Sequence, residues 1–235
     1  MQLHGTCLGF EALAILAAQN ESVVTEFDAE DYSQPLYPTE KAPTSRFFSA
    51  LPPHVVQNLN TKPYAMQNHA HGVAWDAFKS NPKLDEFFDV LTLSIDRQDE
   101  VYVSTMESTK YPISATQWHP EKNAFEWTLD KESISHHPEA IEVTQEVANY
   151  VVGAARKNFH SPENREDEEN LVIYNWNEGL EYTGKQRYKG EEVDFDEVYV
   201  FPDAETFMKA SMEKREARKL RRQEEDREAK KAERV

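Results

Sequence analysis

The heptapeptide Gly5-Thr6-Cys7-Leu8-Gly9-Phe10-Glu11 constrains this chain more than any other stretch, because it asks for a strand, a sharp turn and a helix in immediate succession. Glycines two residues before and two residues after the cysteine suit a backbone that reverses tightly and packs close to itself, where a Cβ would collide. Residues 10–18 read as the helix that follows, with Leu13, Ala14, Leu16 and Ala17 suited to burial. Gln2 to Gly5 makes sense only as the end of a strand. Cys7 then stands at a helix N-terminus, where the macrodipole favours thiolate over thiol. It is the single cysteine in 235 residues, so the chain holds no internal disulfide.

A free cysteine is most often a small buried hydrophobe. The argument for more lies far along the chain, in Gln117-Trp118-His119-Pro120-Glu121, which offers an imidazole and a carboxylate two residues apart. Pro120 holds the segment extended, and an extended segment puts His119 and Glu121 on one face. His119 is then placed to take a proton from the thiol while Glu121 fixes its tautomer through the other ring nitrogen. A thiol, an imidazole and a carboxylate are the parts of a thiol acyl-transfer machine.

The rest of the chain supplies a scaffold. A hydrophobic fraction of 39% with 11% aromatics supports one sizeable core. The formal net charge is -17, unevenly spread. Residues 213–234 hold ten Lys/Arg and seven Asp/Glu, a local +3, which leaves the remainder at -20. An acidic body repels phosphates and excludes nucleic acid as its partner. No run approaches the roughly 18 apolar residues of a membrane span, and Met1 is not followed by the basic and apolar stretches of a signal peptide.

Residues 20–63 read as loops with brief strands and a short helix at 55–59. A helical turn begins near Asn81-Pro82 and runs to Phe88. Three strands at 90–95, 101–106 and 113–118 form a meander that delivers His119 at the end of its last strand. The clearest helix is 141–158, with Val143, Val147, Tyr150, Val151 and Ala154 in one stripe. Residues 161–170 read as an acidic loop, 171–176 and 198–201 as short strands. From residue 204 the chain turns Lys/Arg/Glu-rich and apolar-poor, which divides it into a domain at 1–203 and a charged, helical or disordered tail at 204–235.

Gly5-Thr6-Cys7-Leu8-Gly9-Phe10-Glu11, together with Tyr111-Pro112-Ile113-Ser114-Ala115-Thr116-Gln117-Trp118-His119-Pro120-Glu121 and the Phe125-Glu126-Trp127 that follows, closely resembles the folate gamma-glutamyl hydrolases, which belong to the class I glutamine amidotransferase-like enzymes. Phe87-Phe88-Asp89-Val90-Leu91-Thr92, Ser104-Thr105-Met106-Glu107 and Ala155-Arg156-Lys157-Asn158 look like that family too, so the resemblance covers about residues 3–203. It implies an α/β, three-layer, flavodoxin-like fold of the class I glutamine amidotransferase type with a charged C-terminal helix. It implies hydrolysis of γ-glutamyl bonds in folylpoly-γ-glutamates through a thioester, without cofactor or metal. It also points to a homodimer and to a vacuolar, lysosomal or secreted location.

Residue by residue, the resemblance makes Cys7 the nucleophile, His119 the general base and acid, Glu121 its orienter and the Leu8 N–H an oxyanion donor. Asn68-His69 resembles a second histidine segment linked to activity. Glu11 stands at a position that contacts the amino-acid end of the substrate in the wider class. Ser45-Arg46 resembles a cleft segment, and an arginine fork suits substrate carboxylates. In the family a substantial N-terminal segment of βα units precedes the elbow and supplies a second oxyanion donor. Six residues precede Cys7 here, so the resemblance implies an N-terminally truncated form of the fold. Two rivals come from other classes. A glutaminase feeding a synthase is opposed by the Phe125-Glu126-Trp127 context, and a non-catalytic interaction protein would use the 204–235 tail.

Overall fold

The computed structural model describes residues 2–172 and, beyond them, the backbone of four short strands; the expected tail at 204–235 and its boundary at 203 lie outside the described residues. The chain divides into two compact units, Met1–His160 and Ser161–Val235.

The first unit runs β1 (Leu3–Thr6), α1 (Leu8–Ala18), β2 (Val24–Gln34), β3 (Tyr37–Pro38), α2 (Arg46–Ser49), α3 (Pro53–Thr61), β4 (Ala65–Val73), α4 (Trp75–Ser80), α5 (Pro82–Phe87), β5 (Phe88–Ile95), β6 (Val101–Ser108), β7 (Ile113–Thr116), α6 (Lys122–Phe125) and α7 (Pro138–Ala155). Five strands make one sheet in the order β1-β7-β6-β5-β3. The connections within β5–β6–β7 are too short for a crossover, so the meander is antiparallel. β1 lies parallel to β7, with Leu3 opposite Ile113 and Thr6 opposite Thr116.

Alternation along the strands places a core on each face. On one, Phe10 and Ala14 of α1, Phe78 of α4 and Leu84 of α5 pack with Val90, Val103, Met106 and Ala115. On the other, Phe47 of α2, Val55 and Leu59 of α3, and Val143 and Val147 of α7 pack with Leu91 and Trp118. The result is the expected three-layer α/β arrangement, though around a mixed sheet whose parallel pair, among the described residues, is β1–β7.

Two local expectations are corrected. Residues 20–63 contain a long strand rather than brief ones: β2 spans 11 residues and pairs with β4 from Val24–Val73 to Gln34–Ala65. Register shifts on either side of Ala29 and a positive φ of 44° at Asp31 break its two-residue alternation, which hides the strand from pattern reading. The acidic loop contains a helix, α8 (Arg165–Leu171). The Asn164 side chain accepts from the Asp167 N–H, and Glu166, Asp167 and Glu168 fill the first turn, where the dipole favours negative charge. In that second unit β8 (Leu180–Tyr182) pairs with β11 (Glu197–Tyr199), and β9 (Arg187–Tyr188) with β10 (Glu191–Glu192), all antiparallel. The strand expected at 198–201 overlaps β11; that expected at 171–176 begins on the last residue of α8, and its remainder from residue 173 lies outside the described residues. No described helix is long and apolar enough to cross a membrane.

Candidate active site

Cys7 stands between ladder and helix. Its N–H donates to the Thr116 carbonyl at 2.9 Å, which extends the β1–β7 pairing, and its own carbonyl accepts from the Glu11 N–H at 3.1 Å, which opens α1. Its φ of 52° with ψ of -107° is a strained backbone for a residue with a Cβ, of order 1–3 kcal/mol. The surrounding contacts hold it there. A Cβ on Gly5 would lie 2.6 Å from the Gly9 carbonyl oxygen, so the strand must present glycine where α1 crosses it. Gly9 is different: a Cβ there meets nothing within 4 Å. Of the two flanking glycines, one is a steric necessity. No side chain caps α1, so the Leu8 N–H heads the helix without a side-chain partner.

His119 arrives from the neighbouring strand. Because β1 and β7 run parallel and in register, the elbow after Thr6 and the segment after Thr116 emerge at the same end of the sheet. The Gln117 N–H donates to the Ser104 carbonyl and the His119 N–H to the Met66 carbonyl, both at 2.8 Å. Between them Trp118 is fully buried, its Nε1 donating to Thr105 Oγ1 at 3.0 Å. The expected strand stops at Thr116, and the chain turns at Pro120 instead of staying extended. Glu121 has helical φ and ψ at the head of α6, and Thr144 of α7 donates to the Pro120 carbonyl at 2.5 Å. The carboxylate therefore reaches back from a helix start, and it still meets the ring: His119 Nδ1 lies 2.6 Å from Glu121 Oε1. An ionised carboxylate only accepts, so Nδ1 carries the proton.

His119 Nε2 is buried without an aligned hydrogen-bond partner, and the ring lies close enough to Cys7 for the sulfur to act on it. Burial pulls the His119 pKa down, but contact with the Cys7 sulfur and with the Glu121 carboxylate outweighs it and holds the ring up at about 9. Burial likewise pushes the Glu121 carboxyl up, and the bond and charge of His119 bring it below the ordinary range.

Of the other expected residues, two lie in this region. His69 of β4 is buried, with Nδ1 2.7 Å from the His71 carbonyl, to which it must donate. Its ring meets Tyr102 edge-on at 5.1 Å. Burial pushes its pKa down to about 4, and the nearby His119 adds to that, so it is a neutral imidazole at pH 7. A neutral ring protonated on Nδ1 must accept at Nε2, which lies 3.1 Å from the Gln67 side chain; that geometry calls for the Gln67 amide to present its nitrogen there. Glu11 is buried too, and Gln117 Nε2 donates to its Oε1 at 3.0 Å.

Ser45 and Arg46 are not brought to the cysteine. Ser45 is the N-cap of α2: its Oγ accepts from the Phe48 N–H and donates to the Ala42 carbonyl. Arg46 Nη2 donates to the carbonyls of Ser108 at 2.6 Å and Tyr111 at 3.0 Å, while the Glu107 carboxylate accepts from the Arg46 and Phe47 N–H groups. These partners sit where β7 begins, and Cys7 lies beyond where it ends, a strand length of about 10 Å away. Among the described residues no group of three or more His, Cys, Asp or Glu is arranged to hold a metal ion.

No family model matches the chain. Gamma-glutamyl hydrolase 1 of Arabidopsis thaliana is 40% identical over 200 residues, which is 85% of this chain and 55% of that protein. The gamma-glutamyl hydrolases of Mus musculus and Homo sapiens are 37% and 36% identical over 197 residues, each 84% of this chain and 59% and 58% of theirs. The chain is homologous to the gamma-glutamyl hydrolases. It spans about half the length of the curated relatives it matches. A putative GMP synthase protein from Thermoplasma acidophilum, 13% identical, aligns with a TM-score of 0.37 over 67% of this chain and 60% of its own, too slight a likeness to carry weight. Within the stretch homologous to the gamma-glutamyl hydrolases, Gln117 is a buried polar partner that reading the sequence passed over. Its position two residues before His119, on the same side of a strand-like segment, was the available signal.

Proposed function

We propose that this chain carries the hydrolytic centre of a gamma-glutamyl hydrolase, cleaving folylpoly-γ-glutamates through a Cys7 thioester. The observation that supports it most is that His119 Nδ1 is committed to Glu121 at 2.6 Å on a ring that Cys7 also acts on. His119 takes the thiol proton, and the sulfur attacks the γ-carbonyl carbon. The Leu8 N–H at the head of α1 meets the developing oxyanion. His119 returns the proton to the leaving amine, then draws one from the water that cleaves the thioester and restores the thiol. Every glutamyl nitrogen in such a substrate is acylated, so Glu11 would meet an amide N–H rather than an ammonium group. Neutral His69 lies near His119.

Incubating the chain with pteroyl-tri-γ-glutamate and, separately, with glutamine tests this. Release of glutamate or γ-glutamyl fragments from the first, little ammonia from the second, and no turnover by a folded Cys7→Ala variant are expected. Turnover that survives Cys7→Ala, or preferred hydrolysis of glutamine, would overturn the reading. A vacuolar, lysosomal or extracellular location is proposed on the family resemblance alone, and cell fractionation of tagged protein tests it.

A further inference from the structure

We infer that Gln117 is a positioning residue for the nucleophile: its side-chain amide clamps the Glu11 carboxylate and so locks the first turn of α1, with Cys7 at its head, onto the segment that ends in His119. This rests on the proposed cysteine–histidine chemistry and adds a residue to it. Gln117 is fully buried and Glu11 nearly so, and their 3.0 Å bond joins positions 106 residues apart. One end of the clamp is rigid because the Gln117 backbone N–H is fastened to the Ser104 carbonyl, in β6. The other end is rigid because the Glu11 N–H closes the first helical bond onto the Cys7 carbonyl. The clamp therefore ties the residue four after the nucleophile to the residue two before the base.

The amide has one orientation available, since a carboxylate accepts and Nε2 is the only donor on that side chain. Its Oε1 is left buried without a partner, a cost a packing residue has no reason to bear. On the same stretch, Thr116 Oγ1 and His119 Nε2 are also buried without a hydrogen-bond partner. Buried polar groups concentrate where geometry is being held for chemistry. The elbow itself is strained at Cys7, so without a clamp the first turn of α1 can relax and carry the sulfur away from the His119 ring.

Because Cys7 is the only thiol, its alkylation by iodoacetamide reads the pairing directly, without substrate. The measurement is the alkylation rate from pH 5.5 to 9.5, alongside thermal melting. Gln117→Met, which keeps length and loses the donor, should melt cooperatively yet react about ten-fold more slowly than wild type at pH 6. Glu11→Gln, which can still accept from Gln117, should stay within about two-fold of wild type. Glu11→Leu removes the same bond from the other side, should reproduce the Gln117→Met profile, and decides the matter if Gln117→Met does not fold. The double variant should lose no more than either single one. A wild-type profile in Gln117→Met or, where that variant does not fold, in Glu11→Leu, or an additive double variant, overturns the inference. An unchanged profile in His119→Asn instead overturns the cysteine–histidine reading beneath it, so the two failures are told apart.

Discussion

Removing the Glu121 carboxylate removes the partner that commits His119 Nδ1. Glu121→Gln should lower the His119 titration from about 9 by about one unit, a modest step because the Glu121 side chain is half-exposed and the Cys7 sulfur remains. NMR titration of the His119 ring protons measures it, and an unmoved midpoint would show that Glu121 carries none of the shift. The two glycines of the elbow should part company. Gly5→Ala drives a Cβ to 2.6 Å from the Gly9 carbonyl and should destabilise by several kcal/mol or displace α1. Gly9→Ala meets nothing and, in a helix, should be neutral or stabilise by up to about 1 kcal/mol. Denaturant melts of both variants separate these outcomes. The elbow and the His119–Glu121 pair were legible at this scale because strand-to-helix turns and two-residue spacings are local. The Gln117–Glu11 pair was not, since nothing in either segment names the other.

At the scale of elements, α2 is held by its start. Ser45 and the Glu107 carboxylate together satisfy three of its first N–H groups. Ser45→Ala should cost about 1 kcal/mol of stability, and Arg46→Ala should lose its two carbonyl bonds at the start of β7. Neither should alter the rate of Cys7 alkylation, because the element they anchor lies at the other end of that strand. A slower thiol in Arg46→Ala would return the arginine to the active site. The meander and α7 were visible from their regular periods. β2 was not, because its bulges shift the alternation twice, and α8 was concealed because the acids that read as solvated loop are those a helix start prefers.

For the whole molecule, two buried histidines make stability depend on pH. His4 of β1 is pushed down to about 4 by burial, against the charge of Glu121, and His69 is also held at about 4. Between pH 6.5 and 4 the unfolded chain binds protons at these two that the folded chain refuses, so stability falls on acidification, by up to about 3 kcal/mol for each. Melting temperatures should therefore rise between pH 4 and about pH 6.5. The acid side should flatten in a His4→Gln, His69→Gln double variant, and a curve unchanged by that pair would remove both histidines from the account.

Sequence alone was enough for the chemistry each segment can offer: a thiol on a strained turn, an imidazole beside a carboxylate, an acidic body unsuited to phosphate. Those are properties of neighbours in the chain. That the sulfur and the ring meet was decided in three dimensions, by the parallel register that sets Thr6 beside Thr116 and sends both segments out of the same end of the sheet. The same pairing carried Arg46 to the opposite end and joined Glu11 to Gln117. Backbone ladders and buried hydrogen bonds act between residues a hundred positions apart, and only folding chooses which of them become neighbours.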